Sequence, residues 1–188
     1  MEFTYKNFGF YNIDTNYLKY LYETDNEVQF DENQNYDHKP FVGILVTMEK
    51  YTYFIPLTSR KRKHAHWNNV SNDHILIYEI IDKEKQNYND IIKPYSNTHV
   101  IRILAALEIK KMVPVPDNCY SMINFEAETD QRYRNLLEKE FSFCDSIKLN
   151  ILERSKRTYT YQKQTKIVLP YHCNYSLLES ACDKYIDS

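Results

Sequence analysis

Short apolar runs separated by polar segments predict a β-sheet in the first two thirds of the chain. Runs rich in β-branched and aromatic residues are typical of strands, and polar clusters between them are typical of loops. The predicted strands cover Phe8–Ile13, Phe41–Val46, Tyr51–Leu57, His74–Ile81, Thr98–Leu104 and Ile109–Val113. The sheet is therefore expected to have about six strands. The polar segments 23–37 and 82–97 are expected to be an exposed loop and a surface insertion.

Apolar residues at three- and four-residue spacing predict helices near both ends of the chain. The first helix begins at Asp14 or Thr15 and ends near Asp25. Asp130 caps a second helix, which extends or restarts through 151–157, and Asn174 caps the last one. The predicted apolar faces consist of Tyr17, Leu18, Leu21 and Tyr22, then Tyr133, Leu136, Leu137, Phe141, Cys144 and Ile147, and finally Leu177, Leu178, Ala181 and Tyr185.

A short polar link joins the strands Phe41–Val46 and Tyr51–Leu57, which predicts an antiparallel hairpin. Pro56 has no backbone N–H, so pairing is expected to weaken there and to leave Ser59 at a strand end. Lys39 immediately precedes the first strand of the hairpin. We therefore expect Lys39 and Ser59 to lie at the same open end of the hairpin.

Composition and charge place few limits on function. The chain has 188 residues, enough for one domain with a core, so we expect a single compact domain over residues 1–188. The formal net charge of −2 gives no general attraction for polyanions, so a nucleic acid would have to bind local basic patches. Eighteen Tyr and nine Phe allow base stacking, but they also suit ordinary core packing.

The cysteines and the hydropathy pattern bear on location. The four cysteines form no CxxC pair, and the chain contains no signal-peptide core or long apolar run. These features predict a reduced, cytoplasmic protein without a membrane partner. A DNA partner is not expected.

The segment Pro56–His64 carries the residue types that an RNA-cleaving site needs. RNA can be cleaved without a metal when its own 2′-hydroxyl attacks the adjacent phosphate, because the tethered nucleophile needs only orientation, proton transfer and charge stabilisation. Hydroxyl groups can hold the phosphate, while Lys, Arg or His can stabilise the developing charge. The candidates are Thr58, Ser59, Lys61, Lys39 and His64.

Each feature of this segment also has a structural explanation. Arg60–His64 can be a solvated basic turn or a nuclear-import signal, and the preceding hydroxyls can form a helix cap or a local turn. His64 and His66 could ligate a metal, but no further ligands follow at a recognisable spacing, so zinc is not expected. A Ser–His hydrolase is not expected because the chain has no GxSxG motif.

A second basic region lies in the C-terminal third and mixes charged with aromatic residues. It contains Arg154, Lys156, Arg157, Tyr161 and Lys163. Phosphate contacts combined with base stacking use this mixture, and so does an ordinary helix surface with buried tyrosines. The pattern alone does not separate the two.

Several motifs follow one another along nearly the whole chain in the order of a known family. They are Phe10–Ile13 with Tyr17–Leu21, Lys39–Ile44, Tyr53–His64, Met112–Pro116 and Cys173–Glu179. With these motifs the chain resembles the ToxN/AbiQ endoribonuclease toxins of bacterial type III toxin–antitoxin and phage abortive-infection systems. The Pro-Leu-Thr-Ser and Cys-Asn-Tyr-Ser-Leu-Leu-Glu blocks are specific as a pair and weak singly.

The chain departs from the family pattern at three places. Arg60 stands where the family usually has Pro, and Ala105 and Ala106 stand in a strand that is usually Gly-rich. Residues 82–97 are longer than usual. These departures bear on substrate preference and antitoxin contacts more than on the reaction.

The resemblance implies a fold, a reaction and partners. The fold would be a single α+β (α/β) domain whose strongly twisted, mostly antiparallel sheet is flanked by helices, similar to the Kid/MazF mRNA interferases. The reaction would be metal-independent and cofactor-free cleavage of mRNA and of the repetitive antitoxin RNA, giving 2′,3′-cyclic phosphate and 5′-hydroxyl ends. Antitoxin pseudoknots would bind the toxin in a closed ring of alternating protein and RNA, which blocks the site.

The resemblance also implies roles for single residues. Ser59 and Thr58 would engage the scissile phosphate, and Lys39 and Lys61 would stabilise its charge or move protons. Further candidate RNA contacts are Tyr36, Arg60, Arg62, Lys63 and His64, besides the second basic region. A non-catalytic RNA-binding protein and a purely structural interaction domain stay open as alternatives.

Overall fold

One antiparallel sheet forms the centre of the structure, a computed structural model that describes residues 3–5, 7–30, 40–46 and 51–186. Nine strands occur within these residues: β1 Phe3–Thr4, β2 Phe10–Ile13, β3 Phe41–Val46, β4 Thr52–Ser59, β5 Ile75–Asp82, β6 Ile91–Pro94, β7 His99–Leu107, β8 Val113–Pro114 and β9 Tyr120–Met122. The main path through the sheet is β5–β7–β4–β3–β2–β9. The predicted α+β class is confirmed.

Strands β3 and β4 form the predicted antiparallel hairpin. Phe41 pairs with Pro56, and the N–H of Leu57 donates to the carbonyl of Pro40 at 3.0 Å. The open end of the hairpin is therefore held together as far as Pro40.

Strand β4 continues two residues beyond its predicted end. Thr58 and Ser59 both pair with alanines of β7. Pro56 does not weaken the strand as predicted, because its carbonyl accepts the N–H of Glu108 at 3.1 Å. Both hydroxyl residues are therefore fixed by a paired strand.

One edge of β7 is shared by two strands in succession. β4 pairs with Ala105–Leu107, and β6 pairs with Val100–Ile103. β5 follows β7 along its other edge. Segment 82–97, predicted as a surface insertion, thus contributes β6 to the sheet. Strands of only two to four residues, such as β1, β6, β8 and β9, explain why the prediction of about six strands was too low.

The predicted strand Ile109–Val113 is wrong over most of its length. Ile109–Lys111 form a 3₁₀ turn, and β8 begins only at Val113. β7 and β8 pair with successive parts of β4, and the 3₁₀ turn between them bulges out of this line of pairing. Ile109 and Met112 are fully buried, which gives the bulge an apolar, strand-like sequence.

Four helices surround the sheet: α1 Thr15–Thr24, α2 Gln131–Ser146, α3 Lys148–Thr165 and α4 Tyr175–Ile186. The predicted caps are confirmed, because Oδ1 of Asp14, Asp130 and Asn174 accepts a backbone N–H at 2.9, 2.8 and 3.2 Å. Tyr22 and Leu177 are exposed rather than on the buried faces. None of the helices in the described ranges has both the length and the apolar character that a membrane crossing requires.

A buried polar cluster, the Glu179 network, joins α3 and α4 to β4. Oε1 of Glu179 accepts hydrogen bonds from the hydroxyls of Tyr53 at 2.8 Å and Tyr159 at 2.6 Å. Oε2 accepts from Nζ of Lys163 at 2.6 Å. Both carboxylate oxygens are satisfied, which is the condition for keeping a charge inside a fold. The prediction of Lys163 as an RNA contact is therefore corrected: its ammonium group binds within the fold.

Candidate active site

The end of β4 presents its two hydroxyl groups in different surroundings. Thr58 is buried, and its Oγ1 lies 3.1 Å from both Oε1 of Gln29 and Oε1 of Glu108, to which it can donate. Ser59 is exposed and lines a cavity beside the sheet. The Thr58 hydroxyl is thus bound to other groups of the protein, whereas Ser59 is accessible from the cavity.

A tight turn begins at Lys61, two residues after this strand end. The N–H of Lys61 donates to Nδ1 of His64 at 3.2 Å, and the N–H of His64 donates to the carbonyl of Lys61 at 2.9 Å. The side chains of Lys61, Arg62 and Lys63 are exposed. The turn therefore gathers three cations within a few residues of Ser59, as the sequence predicted.

His64 lies inside this turn instead of at the surface. It is fully buried, and its ring packs on Trp67 with 4.6 Å between ring centroids. Trp67 also packs on His74, and Nζ of Lys63 lies 4.9 Å from the Trp67 ring centroid. Burial, followed by the charge of Lys63, lowers the pKa of His64 to about 4. The predicted RNA contact by His64 is corrected, because a neutral, buried imidazole supports the turn from within.

A cavity of about 270 Å³ opens beside Ser59. Its walls are formed by Pro40, Leu57, Thr58, Ser59, Arg60, Leu104, Ala105, Tyr133, Leu136 and Glu140. Glu140, on α2, is 5% exposed, and burial raises its pKa to about 7 although the charge of Arg60 opposes this. A carboxyl group, a guanidinium group and a hydroxyl group thus share one small cavity with apolar walls.

Three residues at this site, Glu140, Glu108 and Gln29, were not predicted from the sequence. Glu140 had a detectable signal, because it occupies the apolar stripe of α2 together with Tyr133, Leu137 and Cys144. A carboxylate on a core-facing helix position is unusual unless it has a partner or a function. Glu108 and Gln29 gave no such signal, since their contact with Thr58 depends on the tertiary fold.

Two predicted site residues, Lys39 and Tyr36, lie outside the described residues. Their predicted roles therefore stay predictions. Pro40, the chain neighbour of Lys39, lines the cavity at Ser59.

The side chains of the second basic region differ in whether they bind other groups of the protein. The guanidinium of Arg154 donates to the Ser71 carbonyl at 2.9 Å and to Oδ1 of Asn150 at 2.7 Å. Arg157 forms an exposed ion pair with Glu153. Lys156 and Tyr161 are exposed. Arg157 and Tyr161 line a second cavity of about 340 Å³, which shares no lining residue with the cavity at Ser59.

No group of three or more His, Cys, Asp or Glu side chains is placed to hold a metal ion within the part of the chain that is described. His64 and His66 therefore acquire no further ligands there.

A protein-family model also matches most of the chain. The model of the family described as "Toxin ToxN, type III toxin-antitoxin system" matches residues 9–183. The chain belongs to this family. The family resemblance predicted from the sequence motifs is thereby confirmed, and the matched residues include β4, the cation-rich turn, the helices α1 to α3 and α4 as far as Asp183.

Individual ToxN proteins resemble the chain over nearly its whole length. Endoribonuclease ToxN of Pectobacterium atrosepticum is 28% identical and the alignment covers 95% of this chain and 92% of the relative. Endoribonuclease ToxN of Bacillus thuringiensis subsp. kurstaki is 25% identical over 94% and 83% of the two chains. Endoribonuclease AbiQ of Lactococcus lactis subsp. lactis is 22% identical over 94% and 88%.

A solved structure shows the same fold as this ToxN family member. It comes from work on selective toxin inhibition by a non-coding RNA pseudoknot in bacterial type III toxin–antitoxin systems. The TM-score is 0.74 at 23% identity, with 97% of this chain and 100% of that chain covered. The overall fold of this chain is therefore shared with that solved structure.

Proposed function

We propose that this chain is a metal-independent endoribonuclease that cleaves RNA at the end of β4. It is a toxin of the type III toxin–antitoxin class, and the relatives that resemble it over most of their length are endoribonucleases. The observation that carries the proposal is the exposed Ser59 beside a cavity, with the exposed Lys61 two residues further along the chain. Both belong to the Tyr53–His64 motif.

The proposed reaction uses the substrate's own nucleophile. The 2′-hydroxyl of one nucleotide attacks the adjacent phosphate, the bond to the 5′ oxygen breaks, and the products carry a 2′,3′-cyclic phosphate and a 5′-hydroxyl. The protein has to orient the phosphate, stabilise its charge and transfer protons. Hydroxyl and ammonium groups supply these functions without a metal.

Each candidate residue receives a role that fits its surroundings. Ser59 donates to the scissile phosphate, and Lys61 with Lys39 stabilises its charge. Thr58 positions the strand end through Gln29 and Glu108. His64 positions Lys61 by accepting its backbone N–H.

The exposed cations and aromatics outside the cavity would bind the RNA chain. Arg60, Arg62 and Lys63 follow the phosphate backbone from the site, and Tyr36 is a further contact carried over from the family. Lys156, Arg157 and Tyr161 provide a separate surface for phosphates and a stacked base. Arg154 supports that surface, because its guanidinium binds groups of the protein.

The proposed partners are an antitoxin RNA and mRNA. One structural neighbour concerns toxin inhibition by an RNA pseudoknot, and another concerns a processed non-coding RNA that regulates a bacterial antiviral system. We extend this to the present chain: repeats of its antitoxin RNA fold as pseudoknots and close a ring with the toxin, blocking the cavity at Ser59. Residues 1–188 act as one domain in the cytoplasm, with a Kid/MazF-like sheet.

Induced expression of the toxin tests the proposal. Wild-type protein should arrest bacterial growth and create new 5′-hydroxyl RNA ends, whereas Ser59→Ala and Lys39→Ala should abolish both effects. Equal growth arrest by all three proteins would show that the site is misassigned. RNA binding without new 5′-hydroxyl ends would establish the non-catalytic alternative instead.

A further inference from the structure

Glu140 is a buried carboxyl group to which no described residue is bound. It is 5% exposed, and no residue in the described ranges donates a hydrogen bond to it or forms an ion pair with it within 4.0 Å. Buried polar groups are nearly always hydrogen-bonded in folded proteins, so an exception calls for a ligand, a water or a catalytic role. The carboxyl group therefore costs the fold free energy that packing does not return.

Glu140 lies next to the proposed active site. Glu140 lines the same cavity as Ser59 and Arg60, and apolar walls from Leu57, Leu104 and Leu136 surround them. Buried carboxyl groups in clefts beside a reacting centre are suited to take up protons at neutral pH. The cavity has a volume of about 270 Å³ and is open to one side, so an RNA phosphate bound at Ser59 can bring its ribose next to Glu140.

We propose that Glu140 is the general base of the reaction. This inference rests on the proposed ribonuclease function and names the group that starts it. The Glu140 carboxylate takes the proton from the 2′-hydroxyl as the bond between the 2′ oxygen and phosphorus forms. The bond from phosphorus to the 5′ oxygen then breaks, and the 5′ oxygen receives a proton from the Lys61 ammonium group. Arg60 keeps part of the Glu140 population ionised.

The charged and titratable groups around Glu140 set the direction of the pH dependence. Arg60, at the end of β4, lowers the pKa of Glu140, while burial raises it to about 7. On α2 itself, burial and the nearby Glu140 raise the pKa of Tyr133 to about 12 and raise that of Cys144, so both stay protonated at neutral pH. A base must be ionised to act, so cleavage should rise as pH increases through about 7.

The test measures single-turnover cleavage by the full-length toxin from pH 5 to 9. The probe is a transcript of the chain's own reading frame, with new 5′-hydroxyl ends counted. Glu140→Gln should lower the rate constant about 100-fold at pH 8 and abolish the rise near neutral pH. Glu140→Asp should keep the rise at a reduced rate, and Arg60→Gln should move it to higher pH. Glu138→Gln, at an exposed position of the same helix, should match wild type.

Three outcomes separate the possible failures. Absence of cyclic phosphate and 5′-hydroxyl ends with wild-type protein would refute the proposed function itself. Normal wild-type ends combined with an unchanged pH profile in Glu140→Gln would refute only the role of Glu140. An unchanged profile with altered cleavage sequences would show that Glu140 contacts a base instead. If the Gln variant fails to fold, the Asp variant and the Arg60→Gln shift decide the question.

Discussion

Two glutamates, Glu140 and Glu179, are equally buried but have opposite surroundings. Each is 5% exposed. Glu179 binds two tyrosine hydroxyls and the Lys163 ammonium, while Glu140 has no such partners among the described residues. The first links three elements of the fold, and the second lines a cavity beside Ser59. Burial alone therefore does not indicate a functional carboxylate, whereas burial without partners beside a cavity does.

Breaking the Glu179 network should have the largest effect on stability. Glu179→Leu leaves the Lys163 ammonium and two hydroxyls unpaired, so the free energy of unfolding should fall by about 3–5 kcal/mol. Urea denaturation followed by circular dichroism measures this. The double variant Glu179→Leu with Lys163→Met should recover part of the loss, since it removes the uncompensated charge. A loss below about 1 kcal/mol in the single variant would contradict this view of the network.

Replacing Glu140, which no described residue binds, should instead raise the free energy of unfolding at neutral pH. Its pKa is raised from 4.5 to about 7, so between these values the folded state holds a proton that the unfolded state has lost. The free energy of unfolding of wild type should therefore fall with rising pH across this window, by roughly 3 kcal/mol from this group. Glu140→Gln should lack that fall. Parallel pH profiles for the two proteins would contradict the raised pKa.

His64 should show the reverse pH dependence. Its pKa is lowered from 6.5 to about 4, so the unfolded state binds a proton first and wild type should lose stability as pH falls through this window. His64→Phe keeps a ring on Trp67 but leaves the Lys61 N–H unpaired, which should cost about 1–2 kcal/mol at pH 7. Relative to this variant, wild type should weaken between pH 6.5 and 4. Thermal unfolding across pH provides the comparison.

The smallest effect on stability is expected at the surface. The Arg157–Glu153 pair is about 60% exposed on both sides, so Arg157→Ala should change the free energy of unfolding by less than about 0.5 kcal/mol. If Arg157 contacts RNA phosphate, the slope of log affinity against log salt should decrease by about one. Lys163→Met should instead destabilise the protein and leave the slope unchanged. Equal slopes for Arg157→Ala and wild type would remove Arg157 from the RNA surface.

The sequence predicted those features that depend on local chemistry. Capping residues Asp14 and Asp130, the central hairpin and the cation-rich turn after Ser59 were all recognisable. The bulge at Ile109–Lys111 was not, because a buried 3₁₀ turn and a strand both require apolar residues. β6 was not predicted because it has only two apolar side chains, of which Ile91 is half-buried and Ile92 is exposed.

For the candidate site, the sequence identified the chemical groups but not the directions in which their side chains point. A run of basic residues cannot reveal that His64 turns inward or that Lys163 reaches a glutamate 16 positions away. Glu140 is far from Ser59 in the chain, and only the packing of α2 against the sheet brings both to one cavity. Directions of side chains and contacts between distant elements are properties of the tertiary fold.

The division of one β7 edge between β4 and β6 has an evolutionary consequence. The chain leaves this edge at Ser59 and returns to it at Ile91, and each strand keeps its own register with β7. Between these points the chain also forms β5 on the opposite edge of β7, so insertions or deletions in the connections 60–74 and 83–90 can change their length without shifting the pairing of β4, β5 or β6. Related toxins can therefore differ in the length and charge of the surface that faces RNA, as their antitoxins differ, while Ser59 keeps its place in the sheet.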